Sequence, residues 1–294
     1  MVAGAALTAG LANWETWMLN RAKLAVKMLL HKQGYRLARV PQSVEAAPCP
    51  ETSGQIVEFI GPSGVGKSST FRSLAAEIQD RWFFQEHLAK YQFNAFTLDA
   101  SRQLFYERLV KKRAVEVLDQ EVTLPERVNR LAFSLRVANE DMALISQRYS
   151  RGFFIDDGLC HNFTRVLLEL LEQDDSDAET LVRARAFVVF LVDEPDFVVE
   201  NILARRKNTK QFRGNNFPSL GRSELRRLCA DRDRDCRKML AVLSRAGCNK
   251  LILRAENGIE TNAREIRAFE QKLVNGGPHA RTDVTASPAG RPLD

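Results

Sequence analysis

The sequence predicts a three-layer α/β fold in which a mostly parallel sheet is covered by helices on both faces. Two observations predict it. Short, continuously apolar runs alternate with longer helix-patterned segments through residues 55–275, the rhythm of strands buried on both faces and joined by crossover helices. The first apolar run also ends in a glycine-rich turn that opens directly into a helix, as the first strand–helix unit of such a sheet does.

Composition bounds the rest. With 294 residues and 45% hydrophobic content, the chain can bury one large core or two modest ones. A net charge of +6 is mild and spread over many helices, so it suits anionic substrates such as nucleotides without implying specific nucleic-acid binding. The five cysteines form no C-x-x-C pair, which points away from zinc or a disulfide framework and towards a reducing cytoplasm. Residues 1–12 are small and apolar but lack a basic leader, and no apolar run reaches 18 residues. Neither a signal peptide nor a membrane span is expected.

Along the chain, residues 1–40 form a basic segment with a helix expected over 14–37. Trp14, Trp17, Leu24, Met28 and His31 fall loosely on one side, and Lys23, Lys27, Lys32 and Arg36 supply the charge. Such a helix packs on its own domain, on a second subunit in a homodimer, or on a membrane surface or protein partner. Residues 41–54, with three prolines, read as a linker. Strands are expected at 55–60, 82–84, 152–156, 187–192 and 250–254. Helices are expected at 68–79, across 101–149 with a break near 123–125, and at 197–206, 225–245 and 263–273. Residues 276–294 are polar and contain Pro and Gly, so a disordered tail is expected.

The turn after the first strand reads Gly61-Pro62-Ser63-Gly64-Val65-Gly66-Lys67-Ser68, with Ser69 following. It matches G-x-x-x-x-G-K-[ST], with an apolar strand before it and a helix after it, and so predicts a P-loop NTPase fold. Gly64 and Gly66 let the backbone curl until successive N–H groups point at phosphate oxygens. The helix N-terminus adds positive potential. Lys67 is placed to reach the β- and γ-phosphates of ATP, and the Ser68 hydroxyl to ligate Mg²⁺.

A carboxylate is needed near that magnesium, at the end of a neighbouring strand. Two apolar runs end in acids, one at Asp156-Asp157 and one at Asp193-Glu194-Pro195. The second resembles the D-E-P element of transporter-type ATPases, but no L-S-G-G-Q-like signature precedes it. An N-K-x-D guanine motif is also missing, because Asn249-Lys250-Leu251-Ile252 carries isoleucine where the aspartate must stand.

The first run sits in a different pattern. Leu131-Ala132-Phe133-Ser134-Leu135-Arg136, a helical stretch, and Arg151-Gly152-Phe153-Phe154-Ile155-Asp156-Asp157 together resemble thymidylate kinases and deoxynucleoside kinases. Residues 190–206, with a strand, a proline turn and a helix ending Arg205-Arg206, resemble the segment that follows in those families. The resemblance implies a P-loop kinase that moves the γ-phosphoryl group of ATP to a small-molecule or nucleotide acceptor. It implies that Arg205 opens a basic lid with Arg206, Lys207, Lys210 and Arg213, and that Arg136 points towards the acceptor. It also makes Glu86, after the second strand, a candidate general base. At Asp157 the chain departs from the arginine those families carry.

Asp156 is thus a candidate magnesium or substrate-orienting acid, in competition with Glu86 for the base, and Asp157 suits either role. His87 and His161 stand just past strand ends, where α/β sheets bind ligands. Trp82, Phe83, Phe84, Phe93 and Phe96 suit either a stacked base or core packing. The competing function is a regulatory or partner-coupled P-loop ATPase without a small-molecule acceptor.

Overall fold

A computed structural model of the chain describes residues 52–85, 98–146, 149–208, 220–275 and 283–285. The helix expected at 14–37 lies outside these residues. So do nearly all of the linker, Glu86, His87, Phe93 and Phe96, and the lid beyond Asn208.

The strands are β1 (Ile56–Ile60), β2 (Trp82–Phe84), β3 (Gly152–Ile155), β4 (Ala186–Leu191), β5 (Lys250–Arg254) and β6 (Asp283–Thr285). The helices are α1 (Lys67–Ile78), α2 (Ala100–Leu118), α3 (Leu124–Ser146), α4 (Leu159–Asn162), α5 (Thr164–Glu172), α6 (Ser176–Arg183), α7 (Pro195–Asn208), α8 (Arg222–Arg245) and α9 (Ile259–Asn275). A 3₁₀ turn, Ala255–Asn257, joins β5 to α9. The six strands lie in the order β2-β3-β1-β4-β5-β6, and all five pairings are parallel.

Burial on both faces explains why the central strands are apolar almost without interruption. One face of β1, Val57 and Phe59, packs with Phe71 and Leu74 of α1, Val198 and Ile202 of α7, and Ile266 and Phe269 of α9. The Phe59 ring meets Phe71 edge-on at 5.6 Å. On the other face, Ile60, Val189 and Leu191 pack with Phe105 and Leu109 of α2, Leu167 of α5 and Met239 of α8. The aromatic residues Trp82, Phe83 and Phe84 of β2 are all buried. Among the alternatives open to them, the structure gives core packing.

The break in the long helical region falls at 119–123, between α2 and α3. Asp99 caps α2 by accepting the Arg102 N–H at 2.9 Å, as an N-terminal Asp should. Between β3 and β4 the chain makes three short helices, α4 to α6, that periodicity does not reveal because each is shorter than three turns. Within 276–294, where a disordered tail is expected, Asp283–Thr285 pairs in parallel with β5. An edge strand offers a row of unpaired N–H and C=O groups, and three residues suffice to use it.

Candidate active site

The loop at 61–68 lies where β1 delivers the chain to α1. Gly64 and Gly66 both have φ +92°, a left-handed conformation that side chains resist. At Gly64 space is closed as well: a Cβ there would stand 2.9 Å from both Ile202 and Val198 of α7. Asn201 on the same helix donates its side-chain amide to the Gly64 carbonyl at 3.1 Å. Gly61 likewise lets the loop pass Phe190 of β4, since a Cβ would come within 2.8 Å of the Phe190 Cβ. Pro62 and Ser63 span the outer turn, and Val65 is buried beneath it. The Ser69 and Thr70 N–H groups close the first turn of α1 on the Gly66 carbonyl at 3.0 and 2.9 Å.

Lys67 is buried, and its ammonium donates to the Gly61 and Pro62 carbonyls at 2.7 and 3.1 Å. Burial pushes its pKa down, while Asp156 and Asp157 push it up. Both acids stand at the C-terminal end of β3, and β3 is hydrogen-bonded to β1. Parallel pairing therefore brings Asp156 to the phosphate loop. Its carboxylate accepts a hydrogen bond from Ser68, and its Oδ1 is buried without a partner among the described residues. Burial, then the neighbouring Asp157, raises the Asp156 pKa, and Lys67 lowers it.

This orphaned oxygen beside a serine hydroxyl fits a divalent cation. Magnesium keeps to near-octahedral oxygen coordination and takes one or two protein ligands, with water and phosphate completing its shell. Among the described residues no group of three or more His, Cys, Asp or Glu stands ready to hold a metal alone. Ser68 and Asp156 therefore suit a cation that arrives with its nucleotide.

The remaining candidates divide. His161, on α4, holds its Nε2 3.8 Å from Asp157 Oδ1. Burial, followed by the charges of Lys67, Arg232 and Arg113, pushes its pKa well down and keeps the imidazole neutral. Asp157 is half exposed at the mouth of the site, and its backbone N–H donates to Gln85 Oε1 at 3.0 Å. Arg136 is exposed on α3, bonded to Glu140 at 3.2 Å and stacked 4.9 Å from the Phe133 ring centre. Arg205 is exposed on α7, and its charge acts on Lys67.

Of the two acids after β4, one is engaged through its side chain and the other through its backbone. Arg254 binds Asp193 at 2.5 Å, and Glu256 Oε1 accepts the N–H groups of Asp193 and Glu194 at 2.9 and 3.2 Å. The acids after β4 thus close a strand and begin a helix.

Sequence reasoning missed Glu58, alone among apolar residues in β1. It lies beneath the site, with Arg185 Nε 3.7 Å from its Oε2. Arg185 also donates to Asp141 at 2.6 and 2.7 Å, and the Tyr106 hydroxyl donates to the same carboxylate. An acid inside an apolar strand was the available signal. Gln85, which also faces Glu140 at 3.5 Å, carried none.

Fold and loop together define a P-loop α/β protein with an acid from β3 beside the phosphate cradle. No protein-family model matches the chain, and no curated protein does. Among solved structures it is similar to deoxyadenosine kinase from M. mycoides with bound dCTP, at 11% identity and a TM-score of 0.39, over 74% of this chain and 100% of that one. It is also similar to a gluconokinase from Sinorhizobium meliloti 1021, at 14% identity and a TM-score of 0.36, over 76% of this chain and 96% of that one. Among the described residues no helix is long and apolar enough to cross a membrane.

Proposed function

We propose that this chain is a kinase that transfers the γ-phosphoryl group of ATP to a small-molecule or nucleotide acceptor. The observation that carries this reading is Asp156, whose buried, unpaired oxygen stands beside Ser68 and faces Lys67. The ion pair of the Asp193 carboxylate with Arg254 supports it, because that acid is held by a cation instead of standing free to activate water.

The loop N–H groups and Lys67 bind the β- and γ-phosphates and hold them in line. Ser68 and Asp156 would hold magnesium, which would supply charge neutralisation at the phosphates. Glu86 or Asp157 takes the proton of an acceptor hydroxyl. Arg205, at the root of the basic stretch after α7, stabilises charge on the transferring group. The protein works as a small-molecule enzyme of the cytoplasm, with residues 1–40 available for a second subunit, a membrane surface or a protein partner.

The test is ATP consumption by the purified chain, alone and with pooled nucleosides, nucleotides, sugars and amino-sugar antibiotics. Strong stimulation by one acceptor, with a phosphorylated product, supports the kinase. Hydrolysis that ignores every acceptor but rises with a protein or lipid partner overturns it in favour of a partner-coupled ATPase. Lys67→Ala abolishes turnover under both readings.

A further inference from the structure

The pairing of β2 with β3 stops at Phe84 and Phe154. Beyond that point β3 runs on towards its two acids, and the side chain of Gln85 continues the ladder. Its Oε1 accepts the Asp157 N–H at 3.0 Å, and its Nε2 donates to the Asp157 carbonyl at 3.4 Å. A carboxamide carries the same donor and acceptor as a peptide group, so Gln85 serves as one more rung. Asn162 of α4 adds to the hold, donating to the Asp157 and Gly158 carbonyls at 3.0 and 2.9 Å.

Glu140 sets which way the Gln85 amide faces. Its Oε2 lies 3.5 Å from Gln85 Nε2, Glu140 itself is buried, and its Oε1 accepts from Arg136 at 3.2 Å. A flipped amide would turn its oxygen towards that carboxylate and its NH₂ towards the Asp157 N–H. Gln85 therefore ties the end of β3 to α3 as well as to β2.

The carboxylate of Asp157 is treated differently from its backbone. It is 49% exposed, and its one ion-pair neighbour among the described residues is His161, at 3.8 Å, too far for a hydrogen bond. No lysine or arginine pairs with it among these residues. Asp156, the residue before, is spent on Ser68. An acid pinned by its N–H and C=O, with its charge left open, is preorganised for a hydrogen-bond donor that a ligand brings.

We propose that Gln85 is the positioning residue of Asp157, and that the carboxylate so held receives the acceptor by a hydroxyl or ammonium group and rejects one that presents a phosphate or carboxylate there. The proposal rests on the kinase reading. Gln85 acts through the Asp157 backbone, without touching the acceptor.

Steady-state kinetics test both parts. Gln85→Met keeps the length of the side chain and removes both hydrogen bonds, so kcat/KM for the acceptor should fall at least about tenfold, with the Kd for ATP within about twofold. In an Asp157→Asn background the same change should cost less than about twofold, because its target is already gone. Equal losses in both backgrounds overturn the positioning role. On matched acceptors, sugars and amino sugars should outperform sugar phosphates and sugar acids, and Asp157→Asn should shrink that preference at least about tenfold. A parent that prefers the anionic member overturns the selection.

Hydrogen exchange at the Asp157 amide, read by NMR on the full chain, stands apart from catalysis. Gln85→Met should lose protection there while Leu74 in the core keeps its own, which separates a freed turn from an unfolded chain. Gln85→Glu, still able to accept that N–H, should lie between the two in protection and in kcat/KM. An amide equally protected in Gln85→Met overturns the proposal even if the chain proves a kinase. Lost protection in a chain that phosphorylates nothing overturns the kinase reading and keeps the hold of Gln85 on Asp157.

Discussion

The carboxylate of Glu58 accepts the backbone N–H of His161 at 2.8 Å, and this one bond joins the middle of β1 to the turn that carries the site's acids. The approach is close because residue 158 is glycine: a Cβ there would stand 2.5 Å from the Glu58 carboxyl carbon. Gly158→Ala should therefore displace the turn at 156–161. Turnover should fall by about tenfold or more, since misplacement of reacting groups by an ångström costs that much. Activity within twofold of the parent would show that the turn tolerates the methyl group.

Glu58 also gives stability a pH dependence. Burial, opposed by Arg185 and reinforced by Asp141, pushes its pKa from 4.5 up to about 7. The folded chain binds this proton more tightly than the unfolded chain. Its contribution is therefore complete below 4.5 and is lost as pH rises through 7. Urea denaturation should find about 2–3 kcal/mol less stability from this group at pH 8 than at pH 5. Glu58→Gln keeps an acceptor for His161 and should flatten that part of the profile.

Asp156 should trade stability for function. Its pKa is raised by burial and by Asp157, so the nucleotide-free fold carries an ill-solvated acid. Asp156→Asn should melt at the same temperature or higher without ligand, yet lose phosphoryl transfer by roughly 10²–10⁴. A variant that keeps more than a tenth of the parent rate would remove Asp156 from the chemistry.

The buried guanidinium of Arg185, 1% exposed, balances Asp141 at 2.6 Å and faces Glu58 at 3.7 Å. Arg185→Met leaves the buried Asp141 without its cation and should cost about 3–5 kcal/mol. Asp141→Asn with Arg185→Met should recover part of that loss, and a double-mutant cycle by chemical denaturation measures it.

Glu194→Gln separates the two acid positions. With its backbone N–H bound to Glu256, residue 194 begins α7 and should keep turnover within about twofold when its charge is removed. A tenfold loss would return the acids after β4 to the chemistry.

The loop at 61–68 was legible because its geometry is local: glycines, lysine and serine stand within eight consecutive residues, and the strand before them is apolar. The parallel sheet was legible for a similar reason, since doubly buried strands such as Ala186–Leu191 leave continuous apolar runs. Sites assembled across the fold were not. Glu58, Asp141 and Arg185 stand far apart in sequence, and only the packing of their elements makes one charged cluster of them. Short helices such as Leu159–Asn162 take their shape from tertiary contact rather than periodicity. Arg136 shows the reverse limit: its family position drew attention, but the structure gives it a Glu140 partner one turn along the same helix.

Asn201 fastens the crown of the phosphate loop to α7, and Val198 and Ile202 lean on the same glycine. Arg205 stands one helical turn further along that rod. The loop at 61–68 and Arg205 thus belong to one mechanical part, with Gly64 as its bearing. Any shift of the loop on filling is carried to Arg205 over about 6 Å of helix, without a hinge between them.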